Sequence, residues 1–281
     1  MMAGNIYMRF PGGKHKVLTL SYDDGVGADI RLIGIMQQHG LKGTFNVNSG
    51  IYPTERTLDT KRMPLHEAKE VYLNSGMEIG VHALTHPILS YLPDNICTYE
   101  ILQDRINHER DYDCIIRGMA YPQGTVSVSD SVVATLKQCG IAYARTTVST
   151  ERFDLPVDWL RLPATCRHSN PRLMELAEQF VREPFNRAPG MFYLWGHSYE
   201  FVWDKPDNNW GIIERFAAYI GGREEIWYAT NIEIYDYIAA YKQLIFSVDG
   251  TKVHNPTATT LYFEANNALY HVQPGETLRL S

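Results

Sequence analysis

Short apolar runs of strand length alternate with segments of helical period along most of the chain, and this order restricts the fold more than any other feature. A chain in which strand and helix take turns packs its helices against a mainly parallel sheet. The first unit is the clearest. Residues 17–22 are β-branched and apolar, Asp23-Asp24-Gly25 breaks the run, and 30–39 follow with helical spacing up to Gly40. Strand signals recur at 44–47, 78–82, 115–121, 142–144 and 191–195. Helix signals fall at 65–74, 95–113, 128–138, 171–181, 210–220 and 232–241. Repeated strand-then-helix units over most of 281 residues predict an α/β chain folded as a (β/α) barrel, by the ~250 residues typical of that fold. After Leu244 the texture changes to a hairpin signal, Val248-Asp249-Gly250-Thr251, and short β-rich runs. The expected organisation is a barrel over 1–243 and a small β-rich appendage over 244–281.

Charge and cysteine usage narrow the function classes. With 26 basic against 32 acidic side chains the formal charge is -6, which offers no broad positive field to a phosphate backbone and argues against nucleic acid as a partner. No run of 18 apolar residues exists, so membrane insertion is not expected, and the first residues lack the basic and apolar pattern of a secretory signal. Cys97, Cys114, Cys139 and Cys166 are scattered without a CxxC, which predicts reduced thiols in a cytoplasmic protein. The sequence carries no signal of oligomeric state.

Polar residues collect where the predicted strands end, and in α/β barrels the loops after those ends hold the active site. Asp23-Asp24-Gly25 follows the first strand, His82 and His86 flank the loop after the third, and Trp195-Gly196-His197 ends a late one. Two imidazoles and a carboxylate are a common catalytic zinc set. Each piece alone has an ordinary structural explanation, a turn, a core histidine or a surface one. Their occurrence together, in order and at successive strand ends, points to a metal centre.

These residues resemble the polysaccharide deacetylases that share the NodB homology domain. The first motif, usually T-F-D-D-G, stands as Ser21-Tyr22-Asp23-Asp24-Gly25, and the second, H-[ST]-x-x-H, as His82-Ala83-Leu84-Thr85-His86. Met119-Ala120-Tyr121-Pro122-Gln123-Gly124 is similar to the third, Asp154-Leu155-Pro156-Val157-Asp158-Trp159 to the loosely kept fourth, and Leu194-Trp195-Gly196-His197 to the fifth. The resemblance spans roughly residues 15 to 240 and implies a distorted barrel of the NodB type. It further implies that Asp24, His82 and His86 bind one divalent metal ion, Zn2+ first, with Co2+, Ni2+ or Mn2+ as alternatives. Asp23 would be the general base, His197 the acid that protonates the leaving amine, and the backbone N–H of Gln123 a donor to the oxyanion. Tyr121, Trp159 and Trp195 are the expected aromatic walls of a cleft for a carbohydrate substrate, an N-acetylated sugar.

Two departures from the family pattern matter. The third-motif arginine, which in the family pairs with the base aspartate, is Ala120 here, and the third-motif tyrosine is Gln123. Arg145, closing the strand after Gly140, is the expected replacement, with Arg161 as second choice. The implied activity is metal-dependent removal of an acetyl group from an amino sugar. Its rivals are hydrolysis of a non-sugar C–N bond and a catalytically inactive carbohydrate-binding protein on the same scaffold.

Overall fold

The computed structural model describes residues 5–56, 61–206 and 208–280. In chain order its strands are β1 (Ile6–Arg9), β2 (Lys16–Asp23), β3 (Gly43–Val47), β4 (Glu78–Val81), β5 (Gly118–Ala120), β6 (Tyr143–Ser149), β7 (Leu162–Ala164) and β8 (Cys166–Arg167). They continue as β9 (Gly190–Gly196), β10 (Ile226–Tyr228), β11 (Ile245–Phe246), β12 (Lys252–His254), β13 (Leu261–Ala265), β14 (Ala268–Val272) and β15 (Thr277–Arg279). The helices are α1 (Asp29–Gln38), α2 (Leu65–Leu73), α3 (Asp94–Tyr112), α4 (Asp130–Gln138), α5 (Leu173–Arg182), α6 (Trp210–Ile220) and α7 (Asn231–Tyr241).

The main sheet runs β7-β6-β5-β4-β3-β2-β9-β8, with β10 also on β2, and all its pairings are parallel. Its two ends meet through one stretch of chain. β7 pairs with β6, β8 two residues later pairs with β9, and Thr165 between them donates its N–H to Tyr193 O at 2.9 Å. This makes the sheet a distorted barrel closed by 162–167.

Strand alternation decides which residues face the inside. On β2 the even residues Leu18, Leu20 and Tyr22 join the core under the helices, while on β9 Phe192 and Leu194 do the same. The odd residues face inward, where Thr19 Oγ1 donates to Asn231 Oδ1 (3.1 Å) and Asn231 Nδ2 to Tyr193 OH (2.7 Å). By the same alternation Asp23, the last residue of β2, enters the barrel at its C-terminal mouth. The opposite end is sealed by the start of α7, where half-buried Glu78 accepts from Ile232 N (3.0 Å), Tyr143 OH (2.7 Å) and Thr44 Oγ1 (2.7 Å). Burial pushes the Glu78 carboxyl up to about 7 despite these bonds.

Several elements escape the period rules. β1, β7, β8 and β10 have two to four residues each, too short for a period to show, and β7 contains Pro163. The strand expected from 115 begins only at Gly118, because Asp113 caps α3 in the left-handed region and Ile115 is 79% exposed. β1 pairs antiparallel with β13, so a strand from the start of the chain is built into the C-terminal β-sheets, of order β1-β13-β14 and β11-β12-β15. Phe10, just after β1, is fully buried against Trp227 (5.5 Å between ring centroids) and Tyr237 (6.1 Å). Phe10→Ala is expected to lower unfolding free energy by about 3–5 kcal/mol in a urea titration, the range for a truncated core aromatic. A loss below ~1 kcal/mol would show that this seam between barrel and C-terminal sheets contributes little.

Candidate active site

Asp23, Asp24, His82, His86, Tyr121, Gln123, Trp195 and His197 line one cavity of about 450 Å³ at the barrel mouth, together with Gly124–Val126, Thr147, Arg167 and Tyr199. Trp159 is not among them. It packs edge-on against Tyr235 on α7 (5.2 Å between ring centroids), so the expectation of a cleft aromatic at this position is corrected. Asp154 and Asp158, in the segment similar to the fourth motif, pair with Arg152 and Arg161 at the surface. The walls are instead Tyr121, whose hydroxyl donates to Leu160 O (2.8 Å), Trp195 and Tyr199.

Asp24, His82 and His86 present ligand atoms that all lie within 4.8 Å of one another. Their chemistry fits a divalent cation. His82 donates Nδ1–H to Ala120 O (2.8 Å), which fixes the tautomer and leaves the Nε2 lone pair free, the arrangement found for metal-ligating histidines. His86 is held near 4 by burial and by neighbouring His82, against the opposing pull of Asp24, so at neutral pH it too offers a lone pair. Its Nδ1 accepts from Gln123 Nε2 at 3.0 Å, and its Nε2 faces Asp24 Oδ1 at 3.6 Å; a flip of the Gln123 amide would reverse the first bond and free the Nε2 lone pair for a metal.

The loops that carry these ligands are strained and clamped. Asp24, Ala83 and His86 all have positive φ (83°, 60° and 64°), a region that non-glycine residues occupy only when their surroundings hold them. Asp104 on α3, fully buried, accepts from His82 N (3.0 Å) and Ser49 N (2.7 Å), and Glu100 accepts from Thr85 N (2.9 Å) and Oγ1 (2.8 Å). Asn48 donates to Ala83 O at 2.7 Å. Arg62 ion-pairs with Asp24 Oδ1 at 2.9 Å and donates to Asn48 Oδ1 at 3.0 Å.

Asp23 stands apart from the three metal-type ligands and is 3% exposed. One of its oxygens accepts from Asn46 Nδ2 (2.9 Å), and the other forms a buried ion pair with Arg145. Burial alone pushes this carboxyl up, but Arg145, His82 and His197 overcome it and hold Asp23 at about 2. Arg145 lies directly beside Ala120 in the β5–β6 register, so its guanidinium enters from the strand next to the one where the family carries its arginine. The Trp195 ring covers it, 4.5 Å from centroid to Cζ. Arg161 instead pairs with Asp130 and Asp158 on the surface.

His197 Nε2 faces Asp23 Oδ2 at 3.9 Å, and its Nδ1 lies 3.0 Å from Glu200 Oε1. Burial lowers the His197 pKa, while Glu200, Asp23 and Asp24 raise it and prevail, so the imidazolium persists above the ordinary histidine range. Glu200 is the candidate site residue that the sequence did not single out. It follows His197 by three positions in the 3-10 turn Ser198–Trp203 and also pairs with His168 Nε2 (3.0 Å) and Arg167. These partners outweigh its burial and hold its carboxyl far below the ordinary range. The available signal was the spacing His-x-x-Glu directly after a strand end. Beneath the turn, Ser198 donates to buried Asp29, which also accepts from Tyr72 OH (2.6 Å) and Val26 N (3.1 Å) and so ties the His197 loop to the Asp24 loop.

The family model for polysaccharide deacetylase matches residues 11–144. The fold is similar to that of a candidate polysaccharide deacetylase from Mycobacterium smegmatis, with a TM-score of 0.57 and 14% identity over 85% of this chain and 96% of that one. It is also similar to a family 4 carbohydrate esterase from Streptomyces lividans in complex with acetate, at 0.50 and 15% identity over 76% and 91%. A Streptococcus pyogenes deacetylase in complex with acetate aligns at 0.40 and 20% identity over 46% of this chain, which spans about 55% of that protein. No curated protein matches the sequence.

The Glu200 contact has a direct readout. Glu200→Gln is expected to lower the His197 pKa measured by NMR of the imidazole protons, because the variant loses the charge that favours the imidazolium. An unchanged titration would mean that Glu200 does not set the charge of His197.

Proposed function

We propose, from a chain whose residues 11–144 match the polysaccharide deacetylase family model, that the protein is a metal-dependent hydrolase removing an N-linked acetyl group from an amino sugar. The observation that carries this reading is the opposition of Asp23 and His197. An ionised carboxylate outside the metal-type ligand set and an imidazole held toward its protonated form face each other at 3.9 Å across the same cavity. A binding module has no need of a base and an acid together.

Asp24, His82 and His86 would hold the divalent cation, zinc in first place, and when bound it supplies Lewis-acid polarisation of the acyl carbonyl and of a water. Asp23 then takes the proton of the attacking water. Arg145 and Asn46 keep its carboxylate from turning into the ligand set. The Gln123 N–H, on a residue with φ of 58°, is the proposed donor to the oxyanion. His197 delivers its Nε2 proton to the leaving nitrogen, which departs as an amine only after protonation, while Glu200 holds Nδ1–H and stabilises the charged ring. With Trp159 outside the cavity and the Arg145 and Arg167 guanidinium groups against the Trp195 ring, two of the three expected aromatic walls are not open to a long sugar chain. That observation favours a short substrate and keeps a small non-sugar amide as the second reading.

The cytoplasmic setting belongs to the same proposal and is supported by four unpaired cysteines. All four should react with a thiol reagent in denaturant without prior reduction, and fewer would count against it.

The test is metal analysis together with acetate release from chitooligosaccharides and peptidoglycan fragments. Bound zinc near one per chain is expected, chelation should abolish acetate release, and zinc should restore it. Asp23→Asn should leave metal content unchanged and lower turnover by about 10²-fold or more, the size of a lost general base. Full turnover in that variant, or acetate release that survives metal removal, would overturn the mechanism.

A further inference from the structure

A guanidinium with an open edge stands beside His197 in the cavity, and we infer that the substrate carries a carboxylate on the amine side of the scissile bond. This rests on the deacylase reading above. Asp23, Asp24 and Glu200 are matched one for one by Arg145, Arg62 and Arg167, before the His197 imidazolium or a divalent cation is counted. Lys61 stands nearby, its Nζ 4.7 Å from the centroid of the cavity-lining Tyr199 ring and 5.9 Å from that of Trp203. On a protein of formal charge -6 the mouth is thus balanced by its ion pairs, with Lys61 as a further cation at its edge, and a concave, low-dielectric wall focuses the field of such charges.

Arg167 gives the charge a position. It ends β8, lines the cavity beside His197, and its Cζ lies 5.2 Å from the Trp195 ring centroid. Its side chain is 38% exposed, and only Nη2 is engaged, by Glu200 and by a long 3.4 Å approach to His197 Nδ1. Nη1 has no partner among the described residues. The Nη2 edge of Arg167 helps to keep Glu200 ionised, and the Nη1 edge has no part in that. Glu200 already accepts from His197 Nδ1, and a second cation at that distance disfavours the imidazolium. An exposed guanidinium edge suits a planar carboxylate. Because His197 serves the leaving nitrogen, the acidic group belongs to the sugar and not to the acyl moiety.

The experiment compares a matched pair, the methyl glycosides of N-acetylglucosamine and of its 6-carboxylate, with the zinc-loaded protein. The acid is expected to have the higher kcat/KM by about tenfold or more, chiefly through KM, as one charge-assisted hydrogen bond would give. Arg167→Gln should erase most of that preference and Arg167→Lys should keep part of it. The ratio between the two substrates is the readout, since damage to the Glu200–His197 pair affects both alike. Equal kcat/KM for the two, or a ratio untouched by Arg167→Gln, would overturn the inference. Acetate release from neither would instead count against the deacetylase reading. Calorimetric binding of the two deacetylated glycosides then decides the present one alone: tighter binding of the acid, lost in Arg167→Gln, supports it, and equal binding removes it.

Discussion

The buried ion pair between Asp23 on β2 and Arg145 on β6 is the constraint on which the site depends. Both side chains are almost completely withdrawn from water, at 3% and 1% exposed, and taking two charges out of water is repaid only by close geometry and further hydrogen bonds. Asn46 supplies one such bond to Asp23, and the Trp195 ring shields the guanidinium. Removing either partner would strand a buried charge at a cost of about 3–5 kcal/mol. Without Arg145, burial would drive Asp23 toward its neutral form, which could not serve as the proposed base.

The same logic is repeated on the other side of the cavity. His197 is charged because Glu200 is, and Glu200 stays ionised because His168 and Arg167 surround it. Beneath both pairs lie the clamps from α3 and Asp29, which hold loops with positive φ in place. The mouth of the barrel is therefore a set of paired charges on rigid strand ends, joined by buried hydrogen bonds, and not a group of loops free to find their own geometry.

Much of this is legible in the sequence, for identifiable reasons. Strand alternation and strand ends are local properties, so the placement of Asp23, Asp24, His82, His86 and His197 follows from runs of six or seven residues. Arg145 is legible because parallel strands in sequence order are neighbours, which sets it beside Ala120. Trp159 is misread because nearness in sequence to a weak motif says nothing about the direction of an irregular segment; its ring turns to α7 instead. Glu200 escapes notice because a 3-10 turn has no amphipathic period to separate an inward carboxylate from a surface one. The pairing of β1 with β13 spans nearly the whole chain, and no local pattern announces it.

Arg145 on β6 is placed to do what the resemblance to the polysaccharide deacetylases assigns to an arginine at position 120, since the two positions are direct neighbours in the β5–β6 register. Kinetics of Arg145→Ala beside the double variant Ala120→Arg/Arg145→Ala test this most directly, with zinc content and melting temperature measured for each. The account predicts a loss of about 10²-fold or more in kcat/KM for the single variant, the size of a misplaced general base, and substantial recovery when the arginine returns at position 120. A single variant that keeps the parent kcat/KM, or a folded and zinc-loaded double variant that recovers nothing, would contradict it.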